Sequence, residues 1–430
     1  MDSQDEQEQV YEIRVLDILP MDVDEGDATP IECQTRSITV THEGASEDYE
    51  AVSYTWTTET HRVKILVSGA EREVTPHLAA AIRRLRRKDG IRTIWVDQLC
   101  INQNDTKEKT QQVKVMRHIY SHCTQCIVWW GEIPYADRGI QLSDAEAAFD
   151  LLQYMSTSRT AQDQDEADDS KIMPQWLQEL ASVESGEDRS LQDQARVKRA
   201  MLALECISVG INPWWTRVWT VQEAVLPPKG LYVWGPLELN WDVVSEATGV
   251  YNGSQGVWPT LITELYWASR RYQRAWTGIL VHQIWLNNSR IPAKPLEVVK
   301  KWRMRQATEP RDNIYGLMGL IPSGLPTMQD CDYDLTIPEI YGALTVDLIV
   351  SEQGLLPLIM DPRLEPGRET PGLPRWALDM RLHPKYDTDW CPIYAYPHYN
   401  ADKGMGKQDW HLFKQQAATD AYKRLTLHGG

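Results

Sequence analysis

The sequence predicts an α/β fold with a central parallel sheet flanked by helices, followed by a mixed, mainly helical C-terminal extension. Three observations within Arg92–Gly131 lead to that prediction. Ile94, Trp95 and Val96 form a short apolar run that stops at Asp97. Ile127, Val128, Trp129 and Trp130 form a second run that stops at Gly131. Between them lies a helical stretch with Asp105 as its N-cap, Glu108 in the capping-box position, and Val113, Met116, Ile119 and Tyr120 on one face. Strand, helix and strand in that order make a βαβ unit. Near-continuous apolar strands need cover on both faces, so the two runs should be near-adjacent parallel strands at the sheet centre. Asp97 then ends a strand at its carboxyl side, where open α/β sheets place ligands.

The other elements follow from pattern and punctuation. Val10–Leu19 alternates as an edge strand, Ser37–Val40 as another, and Ala51–Trp56 as a core strand. Val63–Val67 and Glu71–Val74 flank a turn built on Gly69, before Thr75 caps a helix with Pro76 at its first position and Leu78, Ile82 and Leu85 as its apolar stripe. Arg83–Lys88 (RRLRRK) is the one dense cationic run and reads as a solvated helix face. Beyond Gly131, Ser143 caps a helix through Tyr154, and Ser156–Asp169 is polar enough to be a mobile surface insertion. A second acidic stretch spans Glu184–Asp193, so the insertion covers residues near 156–195. Ala195–Val209 has helical spacing, Trp241–Trp302 is mainly helical with a turn near Ser254–Pro259, and the final RLTLHGG reads as a strand. The expected division is a core at residues 1–235 and an extension at residues 236–430.

Composition narrows the function classes. At 430 residues, with 42% hydrophobic and 24% charged, the chain is long enough for two or three domains with ample core. A formal net charge of −17 argues against a broad nucleic-acid or anionic-membrane footprint, both of which depend on basic surface. The seven cysteines are scattered and odd in number, which makes no disulfide framework and fits a reducing compartment. Cys123 and Cys126 form a CxxC near His118 and His122, yet no second pair completes a zinc site, so they read as structural thiols and no metal site is expected. Met1–Gln9 lacks an apolar signal-peptide segment, and no apolar run is long enough to span a bilayer. The chain carries 18 Trp against 2 Phe, an imbalance for which composition offers no physical account.

Four blocks, Tyr49–Trp56 (YEAVSYTW), Arg92–Gly131, Trp214–Pro228 (WWTRVWTVQEAVLPP) and Glu309–Pro322 (EPRDNIYGLMGLIP), occur in the order of one family. Through them the chain resembles the fungal heterokaryon incompatibility (HET) domain over roughly Tyr11–Leu335. Thr57 stands where that family usually has glycine, a departure at a point of tight turn or close ligand approach. HET domains look distantly similar to Toll-type (TIR) domains, so the resemblance implies a TIR-like, flavodoxin-like sheet. It also implies a cytoplasmic protein of fungal nonself recognition that triggers programmed cell death. In TIR-like enzymes, the glutamate of a Trp-x-x-x-Glu segment supports cleavage of the nicotinamide–ribose bond of NAD. Carried over by position, that segment is Trp219–Glu223, with Glu223 as the catalytic candidate. NAD would be substrate, and no cofactor is expected.

Breaking an N-glycosidic bond builds positive charge on the ribose, which one carboxylate can stabilise or orient. Each candidate also has a plainer role. Glu223 either does this or pairs with Arg217, and Arg217 and Trp219 either contact the ligand or pack. Tyr54 and Trp56 either stack a base or belong to the core, and Asp97 either accepts a ribose hydroxyl or forms an ordinary turn. Glu108 reads as a helix cap, and Arg311 and Asp312 as an internal salt bridge ordering a helix start. P-loop, dinucleotide-binding, nucleophile-elbow and HExxH motifs are absent. The alternative to an enzyme is a TIR-like adaptor that signals through protein contacts alone. The sequence carries no repeat or nucleotide-binding oligomerisation module, so activation is expected to come from an outside protein partner or from residues beyond Gly430, and the enzyme reading expects hydrolysis once the chain assembles as a homo-oligomer.

Overall fold

The apolar runs become the middle of a mixed sheet. A computed structural model describes residues 9–20, 30–56, 59–133, 139–157, 175–176, 191–208, 211–252, 294–321, 325, 327–328, 331–360 and 370–381. The strands are β1 (Tyr11–Ile18), β2 (Glu32–Val40), β3 (Glu50–Tyr54), β4 (Val63–Val67), β5 (Ala70–Val74), β6 (Arg92–Trp95), β7 (Cys126–Gly131), β8 (Gly230–Trp234) and β9 (Leu237–Asn240). The helices are α1 (Pro76–Leu85), α2 (Asp97–Cys100), α3 (Thr106–His122), α4 (Leu142–Thr157), α5 (Leu191–Cys206), α6 (Trp219–Val225), α7 (Trp241–Asn252), α8 (Pro295–Trp302), α9 (Asp312–Met318) and α10 (Ile337–Glu352). The chain divides into two compact units that interleave in sequence. The first takes Met1–Gln103, His118–Trp215 and Leu226–Asn288; the second takes Asn104–Arg117, Thr216–Val225 and Ser289–Gly430.

The first unit holds the whole sheet, in the order β5-β4-β2-β1-β6-β3-β7-β8-β9. Its centre is parallel: β3 pairs with β6 on one side and β7 on the other, and β7 pairs with β8. The two apolar runs are therefore parallel with one strand between them, as near-continuous hydrophobicity predicts. Every residue of β3 and β7 is buried, so both faces are covered. Trp129 and Trp130 show what covers them, since neighbours on a strand point to opposite faces. Trp129 meets His77 at the start of α1, and Trp130 meets Phe149 of α4 edge-on and stacks on Tyr232 of β8 at 4.3 Å.

Local chemistry accounts for the element ends. Thr75 accepts the Leu78 N–H at 3.2 Å ahead of Pro76, and Asp105 accepts the N–H groups of Lys107 and Glu108 at 2.9 and 3.1 Å. Ser68 and Gly69 both have positive φ, which makes the β4–β5 link the two-residue turn that matches strand twist. The cationic run is divided in its roles. Arg84 pairs with Glu132 at 2.9 Å, while Arg86 donates to the carbonyls of Leu19, Pro20 and Pro30.

Two expectations are corrected. Neither β1 nor β2 is an edge strand: β1 lies between β2 and β6, antiparallel to both, and β2 lies between β1 and β4. Alternation reports which side chains are buried and is blind to whether the backbone has neighbours. Ser143 sits inside α4 rather than at its cap; Gln141 precedes the helix, and its N–H is taken by Asp144 at 2.8 Å. Of the predicted acidic insertion, Ser156 and Thr157 belong to α4. Its stretch 158–169, most of Glu184–Asp193, Thr57, the turn near Ser254–Pro259 and the terminal RLTLHGG lie outside the described residues.

At the amino ends of the central strands, Arg92 grips the Glu50 carboxylate through both Nε and Nη2, the latter at 3.0 Å, and Gln125 donates to the same group. Burial opposes ionisation of Glu50, but these hydrogen bonds and the Arg92 charge outweigh it and hold the carboxyl below the ordinary glutamate range. A depressed carboxyl stabilises the fold fully above its unfolded value and loses that contribution as pH falls through the lower folded value. Glu50→Ala is expected to cost about 3 kcal/mol at neutral pH by leaving the largely covered Arg92 guanidinium without its ionic partner. Urea melts at neutral and acid pH check this, and the gap from wild type should narrow on acidification.

Candidate functional site

In the first unit, three sequence-predicted residues gather at the carboxyl ends of β3 and β6. Tyr54 ends β3 and is buried, and its hydroxyl donates to Gln98 Oε1 at 3.0 Å. Trp56, just past that strand, is 42% exposed, a large aromatic surface left open. Its indole N–H donates to the Asp97 carboxylate, at 3.0 Å to Oδ2 and 3.3 Å to Oδ1. Asp97 opens the single turn α2, where its Oδ1 also accepts the Gln98 N–H and its carbonyl accepts from Gln103. The sheet brings Tyr54, Trp56 and Asp97 together because β3 and β6 are parallel neighbours, so their carboxyl ends coincide.

Two residues of this cluster carry no sequence signal. Gln98 is an unremarkable polar residue after a strand, and His77 is a polar residue in a helix's first turn. His77 stacks on Tyr54 at 6.3 Å, and its Nε2 has no hydrogen-bond partner among the described residues. Burial pushes its pKa down to about 4, so the ring is neutral at physiological pH. The cluster thus offers an exposed ring, a carboxylate beside it and a neutral imidazole.

Trp214 and Trp215 belong to this unit's core. Trp214 is fully buried and donates to Ser53 Oγ at 2.7 Å, while Trp215 donates to the Ile207 carbonyl at 2.7 Å.

The second unit contains Arg217, Trp219 and Glu223. The backbone of residues 216–218 bridges to Gln306: the Val218 N–H donates to its carbonyl at 3.0 Å and the Gln306 N–H donates to Thr216 at 2.6 Å. Trp219 opens α6, and its indole N–H donates to Asp312 Oδ2 at 3.1 Å. The other Asp312 oxygen accepts the Tyr333 hydroxyl at 2.6 Å. Burial raises the Asp312 carboxyl above the ordinary aspartate range, opposed by those two donors. Thr220 through Val225 are all buried, and Glu223 itself is 5% exposed. The predicted Arg311–Asp312 ion pair is corrected: Arg311 pairs with Glu309 at 2.8 Å and Asp312 turns to Trp219 and Tyr333. Consecutive residues entering a helix point in different directions, so adjacent opposite charges do not meet.

The CxxC thiols are buried. Cys123 donates to the Tyr120 carbonyl at 3.2 Å, and burial pushes its pKa up to about 12, far from the thiolate that metals and redox chemistry need. Among the described residues no group of three or more His, Cys, Asp or Glu is placed to hold a metal. Nor is any helix among them long and apolar enough to cross a membrane.

The fold and these clusters define an α/β protein with polar and aromatic groups at the carboxyl ends of its parallel strands. Residues 49–223 match the family described as Heterokaryon incompatibility protein (HET), and this stretch of the chain is a HET domain. The chain is 28% identical over 225 residues to heterokaryon incompatibility protein 6, OR allele, of Neurospora crassa, covering 46% of this chain and 30% of that protein. The match thus spans under a third of that relative. No solved structure matches the chain.

Proposed function

We propose that this chain acts in heterokaryon incompatibility, as a cytoplasmic nonself-recognition effector that triggers programmed cell death by hydrolysing NAD or a related nucleotide. The observation that carries the reading is the HET match over residues 49–223, which ends on the glutamate of the Trp219–Glu223 segment. The parallel order β6-β3-β7-β8 supports the TIR-like, flavodoxin-like part of the reading, because the first strand of the series lies inside and the second and third flank it. Activation by a protein partner and homo-oligomer assembly belong to the same proposal.

In chemical terms, the bond to nicotinamide breaks with its electron pair staying on the nicotinamide nitrogen, and water then adds to the ribose carbon and loses a proton to bulk solvent. The Glu223 carboxylate stabilises the ribosyl cation between those events. At the strand ends of the first unit, Trp56 presents an exposed face on which a base can stack, with the Asp97 carboxylate beside it. One observation favours the adaptor reading instead: Glu223 lies in a helix buried from Thr220 to Val225, as a packing residue would.

Trp56→Ala separates the two. Losing a stacked base costs about 1–3 kcal/mol, so KM for NAD should rise by about 5- to 160-fold with kcat little changed and the thermal melt unmoved. Nicotinamide release by the purified chain is the measurement. An unchanged KM would remove Trp56 from the nucleotide site, and cell death with constant cellular NAD would establish the adaptor.

A further inference from the structure

We propose that Asp312 is a positioning residue for the helix that carries Glu223, and that residues 309–321 serve as the seat of that helix. The functional consequence rests on the reading of Glu223 given above; the positioning does not. At seven residues, α6 is too short to hold its own conformation or fix its own rotation. Trp219 and Glu223 stand four residues apart, on one helical face, so whatever holds the indole sets the direction of the carboxyl.

Asp312 holds it at 3.1 Å. Because the Tyr333 hydroxyl occupies the second carboxylate oxygen at 2.6 Å, the acceptor cannot swing away. Tyr333 is itself steadied by the Lys109 and Arg311 cations, 5.4 and 5.5 Å from its ring centroid. Further contacts come from the same block. Gln222 donates to the Tyr315 carbonyl at 3.2 Å. A Cβ on Gly316 would stand 3.0 Å from Val218, and one on Gly319 would stand 2.1 Å from Gln222 Oε1, so both glycines admit α6 at close range. Asp312, Tyr315, Gly316, Gly319 and Tyr333 all lie beyond residue 223, where the HET match stops. The last helix of the matched segment is thus built on chain that the match does not include.

The test is the Trp219 indole N–H resonance in protein labelled with 15N-tryptophan, assigned through Trp219→Phe, beside nicotinamide release per folded molecule. Asp312→Ala should move the resonance upfield and lower turnover by about 100-fold, the scale of a misplaced catalytic group. Asp312→Asn keeps a carbonyl oxygen for the indole and an amide donor for the Tyr333 oxygen, so resonance and turnover should stay within about 3-fold of wild type. Should Asp312→Ala not fold, Tyr333→Phe removes only the hydroxyl and should shift the resonance in the same direction by less. An unmoved resonance in Asp312→Ala or Tyr333→Phe overturns the positioning role, as does equal loss in the Asn and Ala variants. A moved resonance in a chain whose Glu223→Gln variant keeps full turnover supports the positioning and overturns the catalytic reading instead.

Discussion

Glu223→Gln is expected to cut NAD loss per folded molecule by about 100- to 1,000-fold, the range seen when one electrostatic stabiliser of a charged transition state is removed. The substitution keeps the shape of the side chain and most of its hydrogen-bonding capacity. At 5% exposure that matters, since a smaller residue would leave a void in a fully packed helix. Cell toxicity should fall together with NAD loss while the melt stays close to wild type. Glu108→Gln provides the contrast. Asp105 caps α3, and Glu108 places a charge in the first turn, so its loss should cost at most about 1 kcal/mol and leave turnover intact. Nucleotide content in cells expressing each variant, beside thermal melts, makes the comparison. Undiminished toxicity and constant NAD in a folded Glu223→Gln chain would mean that the domain signals without this chemistry.

The largest stability effect is expected at Gly230. A Cβ there would lie 1.4 Å from the Trp241 ring, inside covalent distance, so the indole or the strand must move. Trp241 is 3% exposed and packs edge-on against Tyr232, which shares the strand face of Gly230, so no open space receives the displaced ring. Gly230→Ala should therefore destabilise by about 3 kcal/mol or more. Gly44→Ala, where no atom comes within 4 Å of the added carbon, should change stability by at most about 0.5 kcal/mol. Pairing Gly230→Ala with Trp241→Leu should recover much of the loss. If the single variant melts like wild type, the ring does not lie on this strand.

What the sequence made legible was local. The runs ending at Asp97 and Gly131 announced central strands because burial on both faces removes polar residues altogether, and Thr75 and Asp105 announced helix starts because capping acts over three residues. Contacts across the chain left no such trace. The bond between Trp56 and Asp97 joins residues 41 apart, and nothing in either neighbourhood encodes it. Both were named through a resemblance and a rule about strand ends, whereas Gln98 and His77, which have neither, were missed. Asp312 was noticed for the wrong partner, since Trp219 and Tyr333, which it does meet, stand 93 and 21 residues away.

That separation sets a time. Ribosomes add roughly 5 to 20 residues per second, so Trp219 waits roughly 5 to 20 s, across 93 residues, before Asp312 is synthesised. Until then the helix bearing Glu223 has been made and its seat has not. For a protein proposed to kill the cell that makes it, the order of the chain acts as a delay. Unfinished copies carry the carboxylate without the contacts that aim it, and only a chain extended past Tyr333 can close the arrangement.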